Sequence, residues 1–97
     1  MRMLIVAALA LPFGAGAQDM SVARSLAATC ANCHGPQGHS ATSTVASLAG
    51  RPKGEIVAAM QAFKSGAKPA TVMHQLSKGY TDEQIEMMAG FFAAQKK

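Results

Sequence analysis

The sequence predicts an all-α fold. Three segments place apolar residues at the spacing of an amphipathic helix, and residues typical of helix ends flank them. No segment shows the alternation of apolar and polar residues that is typical of a β-strand. The chain has 97 residues, which allows one domain with a single small core. We therefore expect three helices joined by irregular segments.

The first helix is expected from Asp19 to Cys30, with Asp19 as a possible N-cap. Its apolar face comprises Val22, Ala23, Leu26, Ala27 and Cys30. The helix ends at the most informative motif of the chain, so that motif is attached to a helix terminus.

This motif is the run Cys30-Ala31-Asn32-Cys33-His34, which has the CxxCH spacing of a haem attachment site. Each thiol can add across one of two vinyl groups on the same edge of a haem, and the histidine then lies beneath the iron. Cys30 and Cys33 are thus the predicted thioether residues, and His34 is a predicted axial ligand. Because the sequence has no second CxxCH run, we expect one covalent haem c.

The segment from Gly35 to Pro52 is predicted to be a loop, because it is rich in Gly, Pro, Ser and Thr. We expect it to wrap the haem edge, with residues 48–50 packed against the ring. The second helix is predicted from Gly54 to Ser65, since a proline precedes it and Gly66 follows it. Its apolar stripe comprises Ile56, Val57, Met60 and Phe63.

The segment from Ala67 to Gly79 is predicted to be a second loop or irregular turn, because Pro69 disfavours helix. The third helix is predicted to start at Thr81, which can form a capping box with Gln84. Its apolar stripe comprises Ile85, Met88, Ala89 and Phe92, flanked by Phe91. Gly90 lowers the helix propensity here. A close crossing by the first helix would account for it.

The second axial position of the iron decides the chemistry, because a strong ligand favours an electron carrier and an open position allows small molecules to bind. The candidates are Met20, Met60, Met73, Met87, Met88, His39 and His74. Met73 is preferred because its segment lies far downstream of His34 and can pass round to the opposite haem face. A thioether favours reduced iron, and His/Met ligation raises the potential. His74 is a neighbouring competitor, although we expect both His74 and His39 to be surface residues.

The N-terminal residues resemble a secretory signal peptide. Arg2 is followed by the apolar stretch 3–13, and Ala15-Gly16-Ala17 is an A-x-A cleavage site. We expect residues 1–17 to be removed and residues 18–97 to form the monohaem domain, with no membrane span in the mature chain. Because c-type haem is attached outside the cytoplasmic membrane in prokaryotes, the expected location is the periplasm.

The mature chain would have eight Lys and Arg against five Asp and Glu. Two haem propionates would reduce the net charge to about +1. No tract of clustered cations with interleaved aromatic residues occurs, so nucleic acid is not an expected partner. Domains below about 70–80 residues rarely gain enough stability from an apolar core alone, and this one is close to that length. A bound haem would provide the additional stabilisation.

With these motifs in place, the chain resembles a class I cytochrome c over residues 18–97. The resemblance rests on the CxxCH run with Gly35, on Met73 and on Tyr80-Thr81-Asp82. It implies three or four helices around one haem, with the first and last helices crossed. It also implies that Cys30 and Cys33 carry the thioethers, and that His34 and Met73 are the axial ligands.

A closer resemblance is to the haem subunit of flavocytochrome c sulfide dehydrogenase. It rests on Ala62-Phe63-Lys64-Ser65-Gly66, Met73, Lys78-Gly79-Tyr80 and residues 87–92. In that family the cytochrome sits on an FAD-containing subunit and takes electrons derived from sulfide. The resemblance therefore implies an electron carrier, not an enzyme by itself. Many members carry two haem domains, whereas this chain has one, which leaves open a free-standing carrier.

Two other classes of function remain open from the sequence. One is a haem sensor or enzyme in which Met73 is displaced and the iron has an open position. The other is a non-haem CxxC thiol redox protein or zinc site. A thioredoxin-like motif needs a βαβ context, and a structural zinc site usually needs four ligands. The sequence shows neither.

Overall fold

A computed structural model describes the backbone of residues 15–97 and the side chains from Met20 onward. It contains α1 (Ala15–Ala28), α2 (Ala31–His34), α3 (Lys53–Ser65), α4 (Met73–Ser77) and α5 (Asp82–Ala93), with a 3₁₀ turn at Pro36–Gly38. No strand occurs within these residues, so the predicted all-α class is confirmed. Most of the expected signal peptide, residues 1–14, lies outside the described residues. In the part that is described, no helix combines the length and apolar character needed to cross a membrane.

Helix α1 differs from the prediction at both ends. It begins at Ala15, so Asp19 lies inside the helix and is not its N-cap. The residues before Asp19 include Ala and Gln, which are good helix formers. The helix ends at Ala28, where the Thr29 hydroxyl donates to the Leu26 carbonyl at 3.0 Å. Cys30 therefore lies in the turn between α1 and α2 rather than at the end of α1.

Helix α3 follows the prediction closely. Its first helical residue is Lys53, directly after Pro52, and its C-cap is Gly66. Gly66 has a φ of 82° and its N–H donates to the Phe63 carbonyl. A residue with a side chain is strained in this left-handed conformation, which explains why a glycine ends the helix.

The segment between α3 and α5 is more regular than predicted. Residues 67–79 were expected to be irregular, but five of them form α4, which starts at Met73. The Leu76 N–H donates to the Val72 carbonyl at 3.0 Å. Residues 72–77 contain neither Gly nor Pro. Pro69 lies before this run, so it limits where the helix starts without interrupting it.

Helix α5 has the predicted N-terminus. The Thr81 hydroxyl accepts from the Gln84 N–H at 3.1 Å, and the Gln84 side-chain oxygen accepts from the Thr81 N–H at 2.9 Å. This reciprocal capping box satisfies two backbone donors that the helix itself cannot pair.

The core lies where α1 packs on α5, and α3 packs against α5. The cluster combines small side chains from α1 with the aromatic side chains of α5. The buried residues of this cluster are Ala23, Ala27, Ile56, Ala89, Phe91 and Phe92. The contact between the first and last helices agrees with the expected arrangement.

Gly90 is not explained by a close crossing of α1, contrary to the prediction. Among the residues whose side chains are described, a Cβ at this position would meet only the Cε of Lys53, at 4.0 Å. Glycine is less favourable than alanine inside a helix by roughly 0.5–1 kcal/mol. We therefore expect Gly90→Ala to increase the free energy of unfolding by up to about 1 kcal/mol, measured by urea denaturation. Gly50→Ala is the contrasting variant: its φ is 72°, so it should destabilise.

An exposed polar network joins α3 to the start of α5. The Gln61 amide donates to the Asp82 carboxylate at 2.8 Å, and the Lys64 ammonium lies 3.6 Å from the same oxygen. The hydrogen bond from Gln61, followed by the charge of Lys64, lowers the pKa of Asp82.

Asp82→Asn should therefore have a pH-dependent effect on stability. A lowered pKa means that the carboxylate stabilises the fold above its unfolded pKa of about 3.9, and that this contribution is lost as the pH falls through the lower folded value. We expect a small decrease in Tm at neutral pH that disappears in acid, once the carboxylate of the folded protein is protonated. Glu83→Gln is a suitable control, because Glu83 is in the same turn. An equal decrease at both pH values would contradict the assignment.

Candidate functional site

The CxxCH run folds into one helical turn. The His34 N–H donates to the Cys30 carbonyl at 2.9 Å, and the Gly35 N–H donates to the Ala31 carbonyl at 3.1 Å. Upstream, the Cys30 N–H donates to the Ala27 carbonyl at 3.0 Å. The motif is thus continuous with the end of α1, and Cys30 lies one turn before His34.

The two cysteines do not form a disulfide with each other, and their surroundings differ. Cys33 is exposed, whereas Cys30 is half-buried against the core cluster. Burial raises the pKa of the Cys30 thiol, and a hydrogen bond with Thr29 partly offsets this increase. Cys30 thus lies at the edge of the core, and Cys33 is accessible from solvent.

The imidazole of His34 is held by a backbone carbonyl. Its Nδ1 lies 2.6 Å from the Ala46 carbonyl oxygen. A carbonyl oxygen only accepts hydrogen bonds, so Nδ1 carries the proton and donates it. The other ring nitrogen, Nε2, is then left with a lone pair for a metal.

The loop that carries Ala46 is fixed through Gly38. The Gly38 carbonyl accepts from the N–H of Leu48, at 2.8 Å, and the Gly50 N–H donates to the Phe92 carbonyl at 2.9 Å. Gly38 has a φ of 87°, and a Cβ there would lie 2.8 Å from a ring carbon of Phe92. Only glycine allows this loop to lie against α5, and the position of the Ala46 carbonyl depends on it.

Met73 is half-buried at the first position of α4. The rest of the short helix is anchored toward α3. Ser77 is fully buried and donates to the His74 carbonyl at 3.2 Å, while the His74 ring contacts the Lys68 carbonyl and lies edge-on to Phe63 at 6.3 Å between ring centroids. His74, expected at the surface, is half-buried there, with its ring against Phe63 of α3.

The other candidate ligands have different surroundings. Met88 is buried in the core, and Met87 packs against the core cluster. Met60 is half-buried on α3, and Met20 is exposed on α1. His39 is exposed as predicted, and its Nε2 lies 2.5 Å from the Lys96 carbonyl oxygen.

Tyr80 links the segment after Met73 to the attachment motif. Its hydroxyl lies 3.0 Å from the hydroxyl of Thr29, the residue before Cys30. Its carbonyl accepts from the Lys64 ammonium at 2.6 Å. The two parts of the predicted site, which are distant in sequence, are therefore joined through one side chain.

These residues fit a covalently attached haem. Two cysteines lie on one turn with a histidine whose Nε2 is available, and a half-buried thioether follows downstream. By contrast, residues 15–97 contain no cluster of three or more His, Cys, Asp or Glu side chains able to hold a metal ion. The sequence did not predict that the Ala46 carbonyl orients His34 or that Gly38 fixes this loop against α5. Gly38 could have been noticed, because a glycine in a loop often has a positive φ.

Comparison with known proteins identifies several cytochromes as relatives. The chain is 40% identical over 67 residues to the cytochrome subunit of sulfide dehydrogenase from Chlorobaculum tepidum. It is 30% identical over 89 residues to cytochrome c4 from Azotobacter vinelandii. It is 37% identical over 70 residues to cytochrome c-553 from Desulfomicrobium norvegicum. No family model matches the chain.

The length of chain that is shared differs among these relatives. The match to the sulfide dehydrogenase subunit covers 69% of this chain and 60% of the relative, and the match to cytochrome c4 covers 82% and 42%. For cytochrome c-553 the corresponding shares are 69% and 86%. The chain thus spans only part of the first two relatives but most of the third.

Proposed function

The chain belongs to the class I cytochromes c and carries covalently bound haem c, and on this basis we propose that His34 and Met73 are the two axial ligands of its iron. Its relatives are cytochromes, which supports electron transfer as the function of this chain. The single observation that carries the assignment of His34 is the bond from its Nδ1 to the Ala46 carbonyl, because this bond leaves Nε2 of the neutral ring available.

Each residue of the proposed site has a distinct task. Cys30, in the turn after α1, and Cys33, in α2, would hold the edge of the haem through thioether bonds. His34 is oriented by the Ala46 carbonyl, which fixes both its tautomer and the direction of its ring. The haem, when bound, supplies the one-electron chemistry.

Met73 is proposed as the second ligand for two reasons. It is half-buried at the start of α4, in a segment that Tyr80 ties back to Thr29 beside the attachment motif. Its thioether is a soft ligand that stabilises the reduced iron. Retaining two ligands in both oxidation states would keep the structural change on electron transfer small.

We further propose that the protein is exported to the periplasm and cleaved after Ala17. The support is the sequence pattern of residues 1–17, together with the attachment of c-type haem outside the cytoplasmic membrane. The intact mass and N-terminal sequence of the purified protein test this proposal. We expect a chain that starts at Gln18 and carries one haem. A haem-bearing chain that retains residues 1–17 would contradict it.

The proposed electron donor is an FAD-containing sulfide dehydrogenase subunit. The support is the 40% identity to a protein named as the cytochrome subunit of sulfide dehydrogenase, of which this chain covers 60%. The test mixes the oxidised cytochrome with the FAD-containing subunit from the same organism and sulfide, and follows haem reduction in a stopped-flow spectrometer. We expect reduction only when both are present. Equal reduction by sulfide alone, or none with the complete mixture, would contradict the proposal.

A free-standing carrier for another periplasmic or respiratory chain is the second candidate. The chain covers 86% of cytochrome c-553. The name of that relative mentions no dehydrogenase, so a match of this length does not require a dehydrogenase partner. The same stopped-flow experiment separates the two, because a free-standing carrier would not be reduced by the flavoprotein.

The haem sensor or enzyme with an open iron position is tested by carbon monoxide. We expect the ferrous protein to bind it slowly or not at all at neutral pH, because Met73 occupies the position. Rapid and tight binding would favour the sensor or enzyme.

A further inference from the structure

Tyr80 donates the hydrogen bond that joins it to Thr29. The Thr29 hydroxyl donates to the Leu26 carbonyl at 3.0 Å, and a carbonyl oxygen only accepts. The 3.0 Å contact between the Thr29 and Tyr80 hydroxyls must therefore use the Tyr80 proton, with the Thr29 oxygen as the acceptor. The substitution Tyr80→Phe would remove this bond alone and leave Thr29 bound to its own helix.

This bond directly connects the two parts of the chain that carry the proposed ligands. We call residues 67–80, which include α4 and Met73, the α4 segment. Among the residues whose side chains are described, every other hydrogen bond of this segment is internal or goes to α3. No ion pair of the segment adds to them there. Within that part of the chain, hydrogen bonding therefore joins the α4 segment to the residues beside the CxxCH run through Tyr80 alone.

The backbone of Tyr80 is held on both sides, so the fold sets the position of its half-buried side chain. Its N–H donates to the carbonyl of the fully buried Ser77 at 3.3 Å. Its carbonyl accepts from the Lys64 ammonium at 2.6 Å, and the next residue, Thr81, caps α5. Because the base of the side chain is fixed in this way, a displacement of α4 is passed on to the bond with Thr29.

Tyr80 opposes the displacement of the α4 segment that release of Met73 from the iron would involve. The two thioethers would be covalent, and His34 lies on the same helical turn as both cysteines. Of the four proposed attachment points of the haem, Met73 alone lies in the α4 segment, which packs on α3. A movement that takes the thioether off the iron would also stretch the contact between Tyr80 and Thr29, because Tyr80 is bonded to the end of α4.

We propose that Tyr80 is a positioning residue that keeps Met73 on the iron, and that its bond to Thr29 limits how readily an external ligand replaces the thioether. This inference rests on the proposed ligation by Met73. A hydrogen bond of ordinary net strength shifts an equilibrium about 2- to 10-fold, which is the change expected in the population with an open iron position. Tyr80 thereby favours an electron carrier over a ligand-binding haem protein.

Tyr80→Phe tests the proposal, because it removes the hydroxyl and keeps the ring and both backbone bonds of the residue. The probe is imidazole, which binds ferric iron in place of the thioether and so removes the weak absorption band at about 695 nm that marks the methionine ligand. Without imidazole the variant should show this band, because Met73 is unchanged. We expect half of the band to be lost at an imidazole concentration about 2- to 10-fold lower than in the wild type.

The acceptor is tested with Thr29→Val, which removes the hydroxyl and keeps the shape of the side chain. In Thr29→Val/Tyr80→Phe the second substitution should add little, because the bond is already absent. Thr29→Ser keeps a hydroxyl and should bind imidazole as the wild type does. The matched control is Ser25→Ala, one turn earlier on α1: the Ser25 hydroxyl donates to the Ser21 carbonyl at 3.1 Å, and none of its described hydrogen bonds reaches the α4 segment.

Hydrogen–deuterium exchange provides a readout that does not depend on the spectrum of the iron. The Leu76 N–H donates to the Val72 carbonyl and the Gly79 N–H donates to the Leu76 carbonyl, so both amides report opening of the α4 segment. In haem-bearing Tyr80→Phe we expect these amides to exchange about 2- to 10-fold faster than in the wild type. The amides of α1 should exchange as they do in the wild type, whereas a general loss of stability would accelerate both regions alike.

The outcomes separate failure of the role of Tyr80 from failure of the proposed ligation. A wild type without the band at about 695 nm would overturn both, because Met73 would not be a ligand. A wild type with the band, together with unchanged imidazole binding in Tyr80→Phe, would overturn only the role of Tyr80. An equal change in Ser25→Ala, additive effects in the double variant, or equally faster exchange in α1 would also overturn it, since the bond to Thr29 would then not account for the effect.

Discussion

Met73→Ala is expected to keep its covalent haem and to lose the weak absorption band at about 695 nm that marks methionine bound to ferric iron. The substitution removes the sulfur that would coordinate the iron, whereas Cys30, Cys33 and His34 are unchanged. The reduction potential should fall by at least about 0.1 V, a fraction of the ~0.8 V range that axial ligands cover. The ferrous variant should also bind carbon monoxide rapidly, because the position is open.

The matched control for this experiment is Met60→Ala. Met60 is likewise half-buried, but it lies in the middle of α3, where a methionine fills space in the core. The band at about 695 nm should survive in the control. If Met60→Ala loses the band and Met73→Ala keeps it, the ligand has been assigned to the wrong methionine.

His74 offers a second test of the same assignment. In the native chain its ring contacts the Lys68 carbonyl and packs on Phe63, so it is held away from a ligand role. We expect His74→Ala to keep the band at about 695 nm, and Met73→Ala/His74→Ala to bind carbon monoxide as readily as Met73→Ala. Slower binding in Met73→Ala than in the double variant would show that His74 replaces the missing thioether.

The sequence predicted helix ends correctly where capping residues or a terminal glycine occur. Thr81 and Gln84 cap α5, and Gly66 ends α3, as their residue types require. The start of α1 was predicted less well, because Asp19 is as acceptable inside the first turns of a helix as at its cap. Helix α4 was missed, because a five-residue helix has too few residues to show a period.

In the site, too, some residues could be predicted from the sequence and others only from the fold. The CxxCH spacing identifies Cys30, Cys33 and His34 because the side chains themselves do the chemistry. The Ala46 carbonyl that orients His34 has no sequence signal, since every residue has a carbonyl and only the folded loop brings this one to Nδ1. The link from Tyr80 to Thr29 is equally hidden, because it joins residues that are 51 positions apart.

The second large effect is expected for Cys30→Ser/Cys33→Ser, which should lose both the covalent haem and cooperative folding. Among the described residues the buried apolar side chains are Ala23, Ala27, Ala49, Ile56, Ile85, Met88, Ala89, Phe91 and Phe92. Four of these nine are alanines, which bury little surface when the chain folds. Domains below about 70–80 residues rarely fold on such a core without a disulfide, metal or other staple.

Two further variants accompany this experiment: a matched control and a single cysteine variant with an intermediate expected effect. Asn32→Ser alters the same turn at an exposed position without removing a thiol, so it should keep its haem and a sharp urea transition. Cys33→Ser should retain one thioether and unfold at lower urea than the control. Intact mass reports the covalent haem, and far-ultraviolet circular dichroism reports the helices. A sharp urea transition in the haem-free double variant would show that the contact of α1 with α5 is sufficient for folding, and that the haem serves electron transfer alone.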